Sequence, residues 1–527
     1  MRICLHFDPS RLLRWHWWLA EALSALPGKH VSRSFGSHRH PLPTGSQLLF
    51  ELERLAYGFR GHGAVTPTEA QLLALSLQQA EPADLTIDMS GEAIPVVGRR
   101  VLTPLFNGIP GEIGIMAALA NDEDLIVELH DNARPSHPWT ARPASEDRSI
   151  FALSLDAVLS CTVALTLMAV RDESGHLDAG NASRAKLHTR SFGSGSALAF
   201  ATRTFAAKTV RLLNKVARGG KTWAIGWRFD SSTSLLDKRE AAFRVLSGGS
   251  SGYLADPFPF RYQGQDYIFV EQYLYTKNRG CIAVVPLDRN GTTGEPRIVL
   301  EEPHHLSYPF VFEHAGEIWM IPESGDAGSV NLYRADEFPH RWTREACLID
   351  DVQGYDVTPL RHEGGFWFFV SPRLWRSSSW DILDLYHADS LTDPWIRRVA
   401  DPILIDARLS RPAGAIMEQG GRLIRPAQDC SRSYGGAVTF CRIDALNTSE
   451  FSQTPIGRIE SGPFGCHTYN RRSGLEVIDI FGHVRGVQET AVSYVPLISD
   501  TRTPGTLEQP PLSANLGIRL AARSYSQ

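Results

Sequence analysis

The sequence predicts a multidomain chain, an N-terminal α/β domain of Rossmann-like pattern followed by an all-β five-bladed β-propeller. Three observations predict it. The chain has 527 residues, enough for two or three domains. Up to about Arg218, short apolar strands alternate with helical stretches, the pattern of a parallel sheet covered by helices. Beyond Trp223 the texture is all-β, and a unit of roughly 50 residues recurs, the size of a four-stranded blade. The expected division is 1–198 for the first domain, 199–222 for a linker helix, 223–500 for the propeller and 501–527 for a Pro-, Thr- and Ser-rich tail.

In the first domain, Arg2–Phe7 reads as a buried strand and Leu12–Leu26 as an amphipathic helix stopped by Pro27-Gly28. Glu69–Gln79 reads as helical, and Leu85–Met89 and Leu125–Leu129 as further strands. No G-x-G-x-x-G follows the first strand, which argues against a dinucleotide site. Ile150–Val170 is apolar enough to resemble a membrane span, but Asp156 and its Ser and Thr residues favour a core helix or strand pair. Ala199–Arg218 forms a helix with a basic face of Arg203, Lys208, Arg211, Lys215 and Arg218. Two readings stand open for that face, a solvated linker and a helix on a membrane surface, that is, a peripheral membrane contact.

The bulk chemistry narrows the partners. With 53 basic and 58 acidic residues the net charge is -5, which speaks against nucleic-acid binding. Seven scattered cysteines without a CxxC pair point to reduced thiols. Those reduced thiols make the expected location cytoplasmic, and the N-terminus reads as a buried first strand without a signal-peptide pattern.

The repeat supplies the candidate site. Its units open at Ala255-Asp256-Pro257-Phe258, Ser307-Tyr308-Pro309-Phe310, Tyr355-Asp356-Val357-Thr358, Ser410-Arg411-Pro412-Ala413 and, more weakly, Cys466-His467-Thr468-Tyr469. Each opening precedes a Gly-containing turn and a second strand, such as Arg261–Phe269 or Glu313–Met320. Innermost propeller strands surround the axis, so Asp256, Tyr308, Asp356, Arg411 and His467 form a polar ring at the funnel mouth. Glu271 and Glu323 end second strands and add carboxylates. Cleavage of a glycosidic bond needs one protonated carboxyl and one ionised carboxylate. Asp256, Glu323 and Asp356 suit the base, acid and pKa-tuning roles. Arg411 or Arg425 suits an anionic group. Gln428 and Asp429 suit sugar hydroxyls, and Trp375, Trp380 or Tyr434 a stacking platform. Each of these residues also has a plain structural reading, as a turn cap or an inter-blade tie. His304 and His305 point to opposite faces of a strand, so no metal site is expected, and no cofactor.

Ala255–Phe258, Tyr267–Glu271, Tyr308–Phe310, Ile321–Glu323, Arg411–Gly414 and Gln428–Gly435 together resemble the N-terminal propeller domain of glucosamine inositolphosphorylceramide transferases and its bacterial relatives. That domain in turn looks like the five-bladed propellers of arabinanase- and invertase-type glycoside hydrolases. The resemblance implies a carbohydrate or glycolipid substrate and places Asp256 where those hydrolases carry a catalytic base. In the plant proteins the sugar-transferring domain follows the propeller. Nothing of that size follows Gly482 here, so transferase activity is not expected to carry over. The first domain resembles a formyltransferase-like domain more faintly. Its Asn-x-His motif is broken, because Asn107 is followed by Gly108 and Ile109, so that domain is expected to be inactive even with Glu112 nearby. Three functions follow: a glycosidic-bond enzyme working in the funnel, a non-catalytic glycan-binding or scaffold module, and a sugar-modifying transferase using the first domain.

Overall fold

A computed structural model describes residues 1–37, 39–59, 63–76, 83–91, 100–171, 192–218, 220–230, 233–288, 294–397 and 402–497. The expected 501–527 tail lies outside them.

The first sheet runs in the order His30–Phe35, Arg2–Phe7, Leu85–Met89, Arg100–Phe106, Val127–Asp131, Trp139–Ala141. The first four strands are parallel, and the last two join antiparallel. Leu85–Met89 is buried along its whole length, as a parallel strand covered on both faces must be. The covering helix Arg14–Ser24 contributes Trp15, Leu19 and Leu23 to the same core. The strand expected at 125–129 begins two residues later, because Ile126 exchanges hydrogen bonds with Asn107 before the ladder starts. The expected Glu69–Gln79 helix is described only as Glu69–Leu73, and residues 77–82 lie outside the described part.

Phe151–Arg171 is one helix, long and apolar enough to cross a membrane by length and composition, yet 94% of its apolar window is buried inside the protein. The expected linker helix starts earlier, at Ser194, and is a layer of the first domain. Gly45 lets it approach the Thr44–Tyr57 helix closely, since a Cβ there would lie 2.9 Å from Ser194 Cα. Arg203 of the expected basic face donates to the carbonyls of Leu119 and Ala120, which end another helix. Positive charge at a helix C-terminus is stabilising there.

The second half is propeller-like. Three antiparallel sheets follow in sequence, starting at Gly252–Tyr262, Ser307–His314 and Gly354–His362. A nine-stranded sheet completes the set. Within it, Thr222–Phe229 pairs antiparallel with Leu475–Gly482 along its full length, so the two ends of the region share one sheet. Glu489–Pro496 then bridges Phe451–Glu460 to Glu240–Ser247. This explains the weak fifth repeat, whose outer strands come from residues 222–247. The hairpin turns repeat as well. Gln263-Gly264, Ala315-Gly316, Glu363-Gly364, Gly420-Gly421 and Ser473-Gly474 all have two consecutive positive φ angles, the two-residue turn that matches strand twist. Aromatic residues fill the space between sheets, with Phe258, Phe260 and Phe269 packing in one cluster with Phe310, Met320 and Trp342.

Candidate functional site

The innermost strands of the three separate sheets carry the same irregularity. The register jumps between Ala255 and Phe258, Ser307 and Phe310, and Tyr355 and Thr358. The residue that begins each jump is left-handed: Asp256 at φ 49°, Tyr308 at 44° and Asp356 at 51°. A non-glycine residue held there costs about 1–3 kcal/mol, and such strain collects at functional sites. The bulge releases these side chains from the ladder. All three are buried and linked. The Tyr308 amide donates to Asp256 Oδ2 at 3.2 Å and Thr468 Oγ1 to Asp256 Oδ1 at 2.7 Å. The Tyr308 hydroxyl accepts from the Gly414 amide at 2.7 Å and lies 2.8 Å from Thr358 Oγ1.

Two cations face these groups. Arg411 Nε donates to Asp356 Oδ2 at 2.6 Å, and Gln428 Nε2 donates to the same oxygen at 2.7 Å. The Arg411 guanidinium lies over the rings of Tyr355 and Tyr434, at 5.4 and 5.2 Å. His467 turns Nδ1 to Asp479 and holds Nε2 at 3.5 Å from Asp256 Oδ1. Burial alone would lower the His467 pKa, but Asp479 and Asp256 outweigh it and raise it. Its ring stacks on Trp223 at 4.1 Å and meets the Tyr434 edge at 4.9 Å.

The carboxyl groups outnumber those cations. Burial, with Asp356 and Asp479 adding and His467 opposing, pushes Asp256 up to about 6. Burial, reinforced by Asp356, pushes Glu323 up to about 7, against the Gly325 amide and the Ser307 hydroxyl, which donate to it at 2.5 and 2.8 Å. Burial and then the charges of Asp256 and Glu323 push Glu271 well above the usual carboxylate range. Each group thus feels the others, and a neutral carboxyl able to donate a proton sits beside the Arg411-paired Asp356. That is the asymmetry acid–base chemistry at a glycosidic bond requires.

One oxygen each of Asp256 and Asp479 and one His467 ring nitrogen lie within 4.8 Å of one another, a set with metal-ligating chemistry that the strand-alternation argument did not find. As His467 stands, a carboxyl group faces each ring nitrogen, and both favour its protonated form.

The structure gives two expected binding residues another task. The Arg425 guanidinium is taken up by the carbonyls of Leu409 and Ser410 and by Gln453 at 3.0 Å, so it ties strands together. Asp429 accepts from Ser431 Oγ at 2.6 Å and from the Ser431 amide at 3.2 Å, which makes it a turn cap. Tyr434 sits half-buried above the ring beside Trp380, at 5.4 Å. Asp479, Thr468 and Trp223 were missed. Asp479 did leave a signal, a lone carboxylate inside the apolar run Val477-Ile478-Asp479-Ile480.

In the first domain, Asn107 clips a loop, donating from Nδ2 to the Asp124 carbonyl at 2.7 Å. Glu112 accepts from Trp15 Nε1 at 2.8 Å and pairs with Arg11 at 2.9 Å and His16 at 3.4 Å. Burial raises the Glu112 pKa, but Arg11 and then His16 hold it down at about 2. Arg11 also donates to the carbonyls of His40 and Ser90. The space left beside the cluster is about 10 Å³.

Comparison with known proteins bears on the second half. The family described as glucosamine inositolphosphorylceramide transferase 1, N-terminal, matches residues 241–470. Glucosamine inositolphosphorylceramide transferase 1 of Oryza sativa subsp. japonica is 31% identical over 262 residues, 49% of this chain and 34% of that protein. The Arabidopsis thaliana protein of the same name is 32% identical over 229 residues, 42% of this chain and 30% of that one. The match thus spans about a third of the length of these curated relatives. Among solved structures, a GH43_1 enzyme from Xanthomonas citri complexed with xylose aligns at 11% identity and TM-score 0.35, covering 50% of this chain and 92% of that one. Zg3597, a family 117 glycoside hydrolase of Zobellia galactanivorans, aligns at 11% identity and TM-score 0.33, covering 55% and 96%. Over residues 241–470, therefore, the chain is similar to the N-terminal part of the glucosamine inositolphosphorylceramide transferases.

Proposed function

We propose that this chain is a carbohydrate-active protein of cell-surface polysaccharide or glycolipid metabolism, which cleaves or transfers a glycosidic bond in the funnel of a five-bladed propeller. The observation that carries this reading is the surplus of buried carboxyl groups: five of them, Asp256, Glu271, Glu323, Asp356 and Asp479, face Arg411 and His467, with the His305 imidazole 3.5 Å from Glu271. Glu323, pushed up to about 7, is the proton donor to the leaving oxygen. Asp256, pushed up to about 6, acts once ionised as base or nucleophile. Asp356, held by Arg411 and Gln428, keeps its neighbours' pKa values high by its charge. The similarity to glycolipid transferases supports the substrate class. The first domain completes the proposal as a Rossmann-like, formyltransferase-like domain without activity of its own, since Glu112 is spent on Arg11, Trp15 and His16. A cytoplasmic location belongs to the same proposal and rests on cysteine usage alone.

The test is a mass-spectrometric assay of wild type and Asp256→Asn on a mixed extract of bacterial envelope glycans and glycolipids. The expected outcome is a product mass formed by wild type only. Equal product from a folded Asp256→Asn variant sinks the assignment. No product from either protein, with sugar retained by both, favours the second reading of a glycan-binding module. The tight hydrogen bonding of Asp256 to Thr468 and Tyr308 favours that second reading.

A further inference from the structure

Beside the funnel a cleft of about 400 Å³ separates the two domains. One wall is the N-terminal part of the Phe151–Arg171 helix with the turn before it, carrying Glu146 and Asp156. The other is the loop after the Gly365–Pro372 strand, carrying Arg373, Trp375, Arg376 and Ser378. Ion pairs cross it: Arg373 meets Glu146, and Arg376 Nη1 lies 3.3 Å from Asp156 Oδ2. Asp156 is itself anchored, accepting from the Ala64 amide at 2.5 Å.

Trp375 is the odd residue. It is left-handed at φ 51° and 42% exposed. A bulky side chain in that backbone region is a true outlier, and an indole held in solvent is a second cost. Outliers of this kind gather at ligand clamps.

The surrounding charges select the ligand. Arg373 and Arg376 are already paired with Glu146 and Asp156, and Asp147, the third carboxylate of the lining, accepts from the Ser149 amide and hydroxyl, so a bound ion gains a partner only by displacing one of these contacts. A polyol accepts from Arg373 or Arg376 and donates to Glu146 or Asp156 at the same time, while a sugar's C–H face covers the indole. The cleft also adjoins the funnel. The Arg373 guanidinium lies 5.7 Å from the Tyr355 ring, which lies 5.4 Å from Arg411, and Ser379 of the same loop accepts twice from Arg411.

We propose that this cleft is a saccharide subsite built jointly by the two domains, holding a neutral sugar unit adjacent to the bond handled in the funnel. Its placement beside the reacting bond rests on the funnel reading, whereas its affinity for sugar does not. The test is calorimetric titration of the full chain with neutral cello-, xylo- and arabino-oligosaccharides of increasing length. Variants are Trp375→Ala, Trp375→Phe, Arg376→Ala and Asp256→Asn, each checked for its thermal transition. Trp375→Ala is expected to weaken binding of the longer chains about tenfold, the equivalent of one aromatic contact, while Trp375→Phe retains most of it. Equal affinity of wild type and Trp375→Ala at every length overturns the subsite, as does absence of binding by all three series. A Trp375→Ala loss combined with no effect of Asp256→Asn on affinity or turnover keeps the subsite and removes the funnel reading instead.

Discussion

Glu112 in the first domain and Glu323 in the second are equally hidden from water, 1% and 4% exposed, and their pKa values move in opposite directions, to about 2 and about 7. Burial acts on both in the same sense. The partners decide the difference. Glu112 has Arg11 and His16 within ion-pair reach and the Trp15 indole as donor. Glu323 accepts from a hydroxyl and an amide, and the Asp356 charge nearby outweighs that of Arg411. A compensated carboxylate closes a structure. An uncompensated one stores a proton at neutral pH, which is the state a general acid needs.

The largest expected effect lies in turnover. Glu323→Gln should lower product formation by about 10²–10⁴-fold, the usual contribution of a positioned acid. Glu112→Gln should leave turnover per folded molecule unchanged. Equal losses in the two variants would erase the distinction between the clusters.

Stability gives the next effect. Arg411→Met leaves Asp356 buried without its cation, and Arg11→Met does the same to Glu112. Each should cost about 3–5 kcal/mol in urea unfolding, as breaking a buried pair does. Adding Asp356→Asn to Arg411→Met should recover much of that loss.

The pH dependence should separate the clusters by sign. The Glu112 pKa is depressed in the folded state, so its contribution is present above the ordinary value of 4.5 and lost as pH falls toward about 2. The Glu323 pKa is raised, so folding is favoured below 4.5 and stability is lost as pH rises through about 7. Urea midpoints across this range should show the high-pH loss reduced, with the part from Asp256 and Glu271 remaining, in Glu323→Gln, and the low-pH loss reduced in Glu112→Gln. The smallest effect belongs to the rim between the domains. Arg432, half-exposed and 2.8 Å from Asp124, should change stability by about 0.5 kcal/mol or less when replaced by Ala.

Local regularity made much of this legible in the sequence. The repeat placed Asp256, Tyr308 and Asp356 at one position, and the structure finds the same left-handed bulge at all three. What depended on distant pairing did not show. Thr222–Phe229 meets Leu475–Gly482 across most of the propeller-like region, so neither Trp223 stacking on His467 nor Asp479 facing that imidazole could be read from spacing. Arg425 misled for a related reason. An arginine near polar residues looks the same in sequence whether it faces a ligand or the carbonyls of Leu409 and Ser410.

The comparison is tested most directly by isotope-edited infrared titration of the carboxyl C=O stretch in wild type, Glu323→Gln and Glu112→Gln. With the glutamates labelled, the account predicts a protonated carboxyl component that ionises near pH 7, beside a separate one from Glu271, and that is lost in Glu323→Gln but not in Glu112→Gln. A wild-type protein whose carboxyl bands all vanish by about pH 5, the ordinary range, would contradict it.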